Sequence, residues 1–180
     1  MVLHKETCET ADQLKLIITE NGELIPDIYN KLSGKCYWVP FQKEEIENII
    51  EKKACLSPTL SKITMFQALF LNIEKQLKKN IFLKLSLARK SGNLIFGFER
   101  VKMALKSGES DILFHANNGS PKELERIKPR SVKLILVSFF SASELGKVFN
   151  RDYVAHSCVL KGGLAKSLIL DVKKLEGIQN

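Results

Sequence analysis

The stretch Leu87–Gly108, LARKSGNLIFGFERVKMALKSG, decides the fold of the second half of this chain. A basic turn containing Arg89 and Lys90 leads into the short apolar run Asn93–Phe96. Gly97 then opens a helix that runs to Lys106 and stops at Ser107-Gly108. Within that helix Phe98, Val101 and Leu105 recur at i, i+3 and i+7 with Ala104 beside them, so one side faces a core and Arg100, Lys102 and Lys106 are left for the other. A helix start exposes backbone N–H groups at the positive end of its dipole, and a glycine there lets an anion come close to the backbone. Phosphate suits this pattern; an ordinary surface helix with a solvated charged side fits the same residues.

Downstream the alternation of helix and strand continues. Asp111–His115 reads as a strand, and Ser120 with Glu123, then Ser141 with Glu144, have capping-box spacing, the first reinforced by Pro121. Val132–Val137 and Val154–Leu160 are continuous apolar runs of buried-strand type, and a Gly162-Gly163 turn precedes a last helix. Upstream, Leu14–Thr19 reads as a strand, followed by the Asn21-Gly22 turn, an extended piece at Leu24-Ile25, a break at Pro26 and a strand Tyr37–Val39 after Ser33-Gly34. Helical periodicity takes over in Phe41–Lys53, where Ile46, Ile49 and Ile50 share a side. Ser57-Pro58 opens a further helix carrying Phe66, Leu69, Phe70, Ile73 and Leu77 as far as Asn80, and another covers Ile81–Lys90. These patterns predict an α/β chain: a small α/β domain with a connecting helix over residues 1–79, then a three-layer α/β/α sandwich over residues 80–180.

The net charge of +8 is divided unevenly. Residues up to Asn80 hold 11 Lys and Arg against 11 Asp and Glu, and the remainder holds 17 against 9, so the whole excess lies in the second half. That is the electrostatic footprint of a phosphate-binding surface; a membrane surface or an acidic protein would satisfy it too. Membrane attachment is the weaker reading, because the sequence shows no apolar signal core or lipidation motif, and the apolar Met65–Ile73 run is short and broken by Gln67 and Asn72. Cys8, Cys36, Cys55 and Cys158 lack metal-ligand spacing, which argues against zinc and for a reduced, cytoplasmic setting.

Reactive residues do not assemble into a catalytic set. His4, His115 and His156 are far apart along the chain, and Asp111, Asp152 and Asp171 show no paired-carboxylate spacing. His156 and Cys158 share a face of an alternating strand, an arrangement read as buried structure rather than a metal or nucleophile couple. Gly162-Gly163 lacks the Lys-Ser/Thr ending of a nucleotide-binding loop. The expectation is a non-enzyme without cofactor or metal.

The pieces LARKSGNLIFGFERVKMALKSG, DILFHANNGS, FFSASELGKVFN and VAHSCVLKGGLAKSLIL make the second half resemble the kink-turn-binding ribosomal-protein family of archaea and eukaryotes in its shorter bacterial form. LIITENGELIPDIYNKLSGKCYWVP and the helix after it make the first half similar to the bacterial YlxR family. The resemblance implies a sandwich that presents the Gly97 helix start and the loop before the last helix to one RNA surface. Matched by position, Gly97, Phe98, Glu99 and Arg100 fall on the family's helix-start motif with Lys90 before and Lys102 after it, and Lys161, Gly162, Gly163 and Leu164 fall on the second loop. Arg89 and Lys166 add phosphate contacts, and Lys35, beside Lys31, Tyr37 and Trp38, is the RNA-facing candidate of the first half.

Glu99-Arg100 stands where tight kink-turn binders carry an Asn-Glu pair. An amide's donors and a carboxylate's acceptors are thereby lost, while Arg100 gains a guanidinium suited to phosphate or a guanine edge. The function expected is recognition of structured RNA, ribosomal RNA among the candidates, in bacterial ribosome or ribonucleoprotein assembly or translation, with a protein partner available through the first domain. The competing reading is a protein-interaction adaptor that uses the same fold without touching RNA.

Overall fold

A computed structural model describes residues 13–19, 24–54, 62–128 and 134–179. The Asn21-Gly22 and Ser57-Pro58 turns, Val132 at the head of its expected strand, and His4, Cys8 and Cys55 lie outside these residues. The chain divides into two compact units, Met1–Lys79 with Lys173–Asn180, and Asn80–Val172.

In the first unit, β1 (Gln13–Ile18) lies between β2 (Leu24–Asp27) and β3 (Cys36–Pro40) in an antiparallel sheet. β2 continues through Pro26, where the sequence predicts a break. Pro26 pairs with Leu16 on an edge strand, a position where a residue without an N–H is tolerated. Alternation buries Leu14 and Leu16, with Val39 from β3 and Ile46 from α1 (Lys43–Ala54) also buried. The buried Asp27 carboxylate accepts the N–H groups of Lys31 and Leu32 at 3.0 and 2.9 Å, and Lys15 Nζ donates to Leu32 O at 2.6 Å. These bonds pin the turn ahead of Lys35.

Helix α2 (Lys62–Lys90) is a single helix of 29 residues, where the sequence predicts two meeting at Asn80. Leu69, Ile73, Leu77, Ile81, Leu85 and Ala88 are all buried at i+3 or i+4 steps, so the apolar stripe never breaks. Asn80, where the first of those helices is expected to end, donates from Nδ2 to Asp171 Oδ2 at 2.7 Å.

The second unit is a four-stranded sheet in the order β4-β7-β5-β6: β4 (Leu94–Phe96), β5 (Ile112–His115), β6 (Ile135–Val137) and β7 (His156–Val159). β5 and β6 are parallel, and β7 is antiparallel to both β4 and β5. Helices α3 (Phe98–Lys106) and α4 (Pro121–Ile127) cover one face, where Val101, Ala104, Leu105 and Ile127 close a core over Leu113 and Cys158. Burying side chains such as Val101 and Leu105 contributes about 1.5–3 kcal/mol each. Phe96 and Phe114 point to the other face. There Phe149 of α5 (Ala142–Phe149) lies 4.4 Å from Phe96 between ring centroids, and Phe82 of α2 lies 4.7 Å from Phe140, itself beside Phe114. Lys84 ties α2 to α6 (Gly163–Gln179) by pairing with Asp171 at 2.6 Å and donating to Ser167 Oγ at 2.6 Å. Helices on both faces of one sheet give the α/β/α layering.

The two serine-led helix starts differ. At Ser141 the capping box is complete: Oγ accepts the Glu144 N–H at 3.2 Å, and the Glu144 carboxylate accepts the Ser141 N–H at 2.8 Å. At Ser120 the expected box does not form, because Ser120 makes no side-chain cap bond and Glu123 reaches His156 instead. Ser141→Ala is therefore expected to lower stability by about 1 kcal/mol in urea unfolding, with Ser120→Ala within about 0.5 kcal/mol of the parent.

Candidate nucleic-acid interface

Strand register decides which loops share an end of the second unit's sheet. Phe96 pairs with Ser157 and Leu94 with Val159, so β4 finishes where β7 begins. His115 pairs with His156, so β5 finishes at that same end, and β6 runs parallel to β5. The Gly97 step, the Ala116–Ser120 loop, the Ser138–Ser141 loop and the Asn150–Ala155 approach to β7 therefore gather at one end, where the Gly97 N–H donates to His156 O at 3.1 Å. Carboxyl ends of parallel strands are the usual ligand end of such sheets.

Gly97 caps α3 with φ 92° and ψ 149° and supplies no side-chain cap to the first-turn N–H groups. Its positive φ suits glycine, and no heavy atom lies within 4 Å of where a Cβ would sit, so a ligand can reach the backbone there. Phe98 is half buried and carries Lys102 Nζ at 5.4 Å from its ring centroid. Glu99 and Arg100 are exposed on the first turn. From the other loop, Arg151 sets its guanidinium 5.1 Å from the centroid of Phe96, and the neighbouring Tyr153 is 60% exposed. Among the described residues, neither Arg100, Lys102, Lys122 on the first turn of α4, nor Arg151 has an ion pair.

The remaining sequence candidates of the second unit do not join this end. Lys161 and Gly162 follow β7 after Val159, and Leu160 and Lys161 donate their N–H groups to Asn93 O and Glu109 O, at the opposite end of the sheet. The expectation that the Gly97 start and the Lys161–Leu164 loop form one surface is corrected by this register: an antiparallel β7 carries its two flanking loops to opposite ends. Lys161 is moreover paired with Asp111 at 3.1 Å. Gly163 starts α6, with Leu164 half buried and Lys166 exposed on it. Arg89 donates from Nη1 to Val148 O at 2.7 Å, closing one of the last carbonyls of α5, and Lys90 ends α2 beside the turn into β4. Lys35 is exposed in the first unit, ahead of β3. Sequence reading missed Arg151 and Tyr153. The available signal was their place between the capped helix α5 and the run containing β7.

Beneath the Gly97 end lies a cluster that sequence separation hid. His115 and His156, 5% and 3% exposed, stack with ring centroids 5.0 Å apart and bring their Nδ1 atoms to 3.0 Å, while His156 Nε2 lies 3.0 Å from Glu123 Oε2. Gly119 makes room for this: a Cβ there would come 2.8 Å from His115 Cε1. Burial is the main cause that holds His115 below the ordinary histidine range, and the charge of His156 adds to it against the opposing pull of Glu123. Two residues along β7, burial pushes the Cys158 thiol up to about 11, consistent with an unreactive core cysteine.

No family model matches this chain, and no curated protein matches it. The likenesses to the YlxR and kink-turn-binding families therefore rest on the residues quoted for them. Solved structures similar to it include a protein of unknown function from Bacillus halodurans, 17% identical over 52% of this chain and 96% of that one with a TM-score of 0.48. Another is an RNA-binding protein of 15.5 kD from Giardia lamblia, 16% identical over 57% of this chain and 90% of that one, also with a TM-score of 0.48.

A histidine with a lowered folded-state pKa binds fewer protons folded than unfolded. Its stabilising effect is full above the ordinary histidine value, about 6.5, and is lost progressively as pH falls from there through the lowered folded-state value. Thermal stability is therefore expected to fall as pH drops below about 6.5, and His115→Leu is expected to reduce that fall, as scanning calorimetry at fixed ionic strength would register.

Proposed function

We propose that this chain is a non-catalytic RNA-binding protein that takes a structured RNA at the carboxyl ends of β4, β5 and β6, in bacterial ribosome or ribonucleoprotein assembly or translation. The observation that carries this reading is that one end of the sheet gathers an open, glycine-capped helix start, the cations Arg100, Lys102 and Arg151, which have no ion pair among the described residues, and the exposed Tyr153. Cations and backbone N–H groups take phosphates, and an exposed aromatic offers a stacking face for an unpaired base. Regular A-form RNA hides its base edges in a deep groove, whereas a sharp bend opens the groove and splays bases within reach of protruding loops. Glu99 and Arg100 give this surface an acceptor and a donor fork next to each other, a different pattern from an amide–carboxylate pair, so its base preference is its own. At the far end of the sheet, Lys161 is paired with Asp111. No helix among the described residues is long and apolar enough to cross a membrane.

Charge reversal separates the two ends. Arg100→Glu with Arg151→Glu is expected to weaken binding of a bent RNA oligonucleotide by tenfold or more and to flatten the dependence of log affinity on log salt, each lost phosphate contact accounting for up to about 0.9 in slope. Lys161→Glu with Lys166→Glu is expected to leave both nearly unchanged. Equal losses from the two pairs would reduce the interaction to general attraction by a basic chain, and absence of salt-steep RNA binding by the parent protein would favour the adaptor reading.

A further inference from the structure

The contact between His115 and His156 is chemically restrictive. A hydrogen bond between two Nδ1 atoms 3.0 Å apart requires a proton on one of them and a lone pair on the other. With His156 Nε2–H donating to Glu123, the neutral couple has His156 Nδ1 as acceptor and His115 Nδ1–H as donor. One further proton, on His115 Nε2 beside the Gly119 turn, keeps every one of these bonds. A second would place two donors face to face. The couple therefore accommodates a single positive charge.

This charge would arise directly under the α3 start. His156 O receives the Gly97 N–H at 3.1 Å, and the Phe98 ring meets the His156 ring at 70° with centroids 6.0 Å apart. The charged and titratable groups around the couple are few. α4 contributes Glu123 and, acting on His115, Lys128; α3 contributes Lys102 across the Phe98 ring; β7 contributes Cys158; and the residues from Ala116 to Ser120 bring none. A cation near a helix N-terminus is disfavoured by the dipole until an anion occupies the same end. Proton and phosphate then stabilise each other.

We infer that His115, His156 and Glu123 form a proton-linked couple that accommodates one added proton and makes the Gly97 surface bind structured RNA more tightly as pH falls. This rests on the reading that RNA binds at the Gly97 end. Linkage makes it reciprocal: RNA raises the pH at which the couple charges by the same free energy with which the proton tightens RNA binding, so a one-unit rise in midpoint corresponds to up to about a tenfold gain in affinity.

Histidine ring and backbone amide NMR signals of the full chain, followed from pH 8 to 5, test the couple, with the His4 signal identified by its loss in His4→Gln. Without RNA, the His115 and His156 signals are expected to move with one common midpoint, and the Gly97 amide and Phe98 ring with them; separate midpoints, or an unresponsive Gly97, would overturn the inference. With a bent RNA oligonucleotide, the midpoint is expected to rise and the affinity to increase severalfold from pH 8 to 5. RNA that binds without moving the midpoint contradicts the linkage alone, whereas RNA that fails to bind at either pH removes the functional reading and the linkage with it. Glu123→Gln, at a side chain 48% exposed, keeps an acceptor for His156 but removes the charge. It is expected to lower the midpoint and weaken the pH dependence of RNA affinity, and an unchanged midpoint would contradict the role given to Glu123.

Discussion

The antiparallel insertion of β7 between β4 and β5 is the constraint on which the functional surface depends. Because β4, β5 and β6 share a direction and β7 opposes them, the turn after β4 and the loop before β7 meet, and the loop after β7 is sent away. A single reversed strand therefore selects Arg151 and Tyr153, rather than Lys161 and Lys166, as neighbours of the Gly97 start. The same pairing brings His115 opposite His156, so the buried couple and the open helix start follow from one register.

The resulting end of the sheet has little net charge of its own. Arg100, Lys102, Lys122 and Arg151 are accompanied by Glu99, Glu123 and Asp152, so attraction comes from unpaired groups in specific places and from the α3 dipole rather than from a broad positive field. Such a surface suits a shaped ligand that matches individual positions better than it suits a uniform polyanion. In the first unit, Lys35 is exposed just after a turn organised by Asp27 and Lys15.

Local chemistry was legible in the sequence wherever a pattern closed within a few residues. The amphipathic face of α3, its glycine start and the Ser141–Glu144 box follow from spacing that the backbone satisfies directly. Ser120–Glu123 has the same spacing and fails because a histidine 33 residues away competes for the carboxylate, a partner that no local pattern reveals. α2 runs unbroken through Asn80, where the spacing predicts two helices, because the buried stripe from Leu69 to Ala88 continues through it and Asp171 accepts the Asn80 amide. Separation along the chain made His115 and His156 look unrelated, and the matching of loops by order placed Lys161–Leu164 on a surface that strand direction denies them.

The most direct measurement is a map of backbone amide shifts in the full chain on addition of a bent RNA oligonucleotide. The largest changes should fall on Gly97–Lys102, Asn117–Ser120 and Arg151–Ala155, with Lys90–Asn93, Ser107–Asp111 and Lys161–Lys166 nearly silent. Changes concentrated on the latter segments, or spread evenly over both ends of the sheet, would contradict an interface organised by the Gly97 helix start.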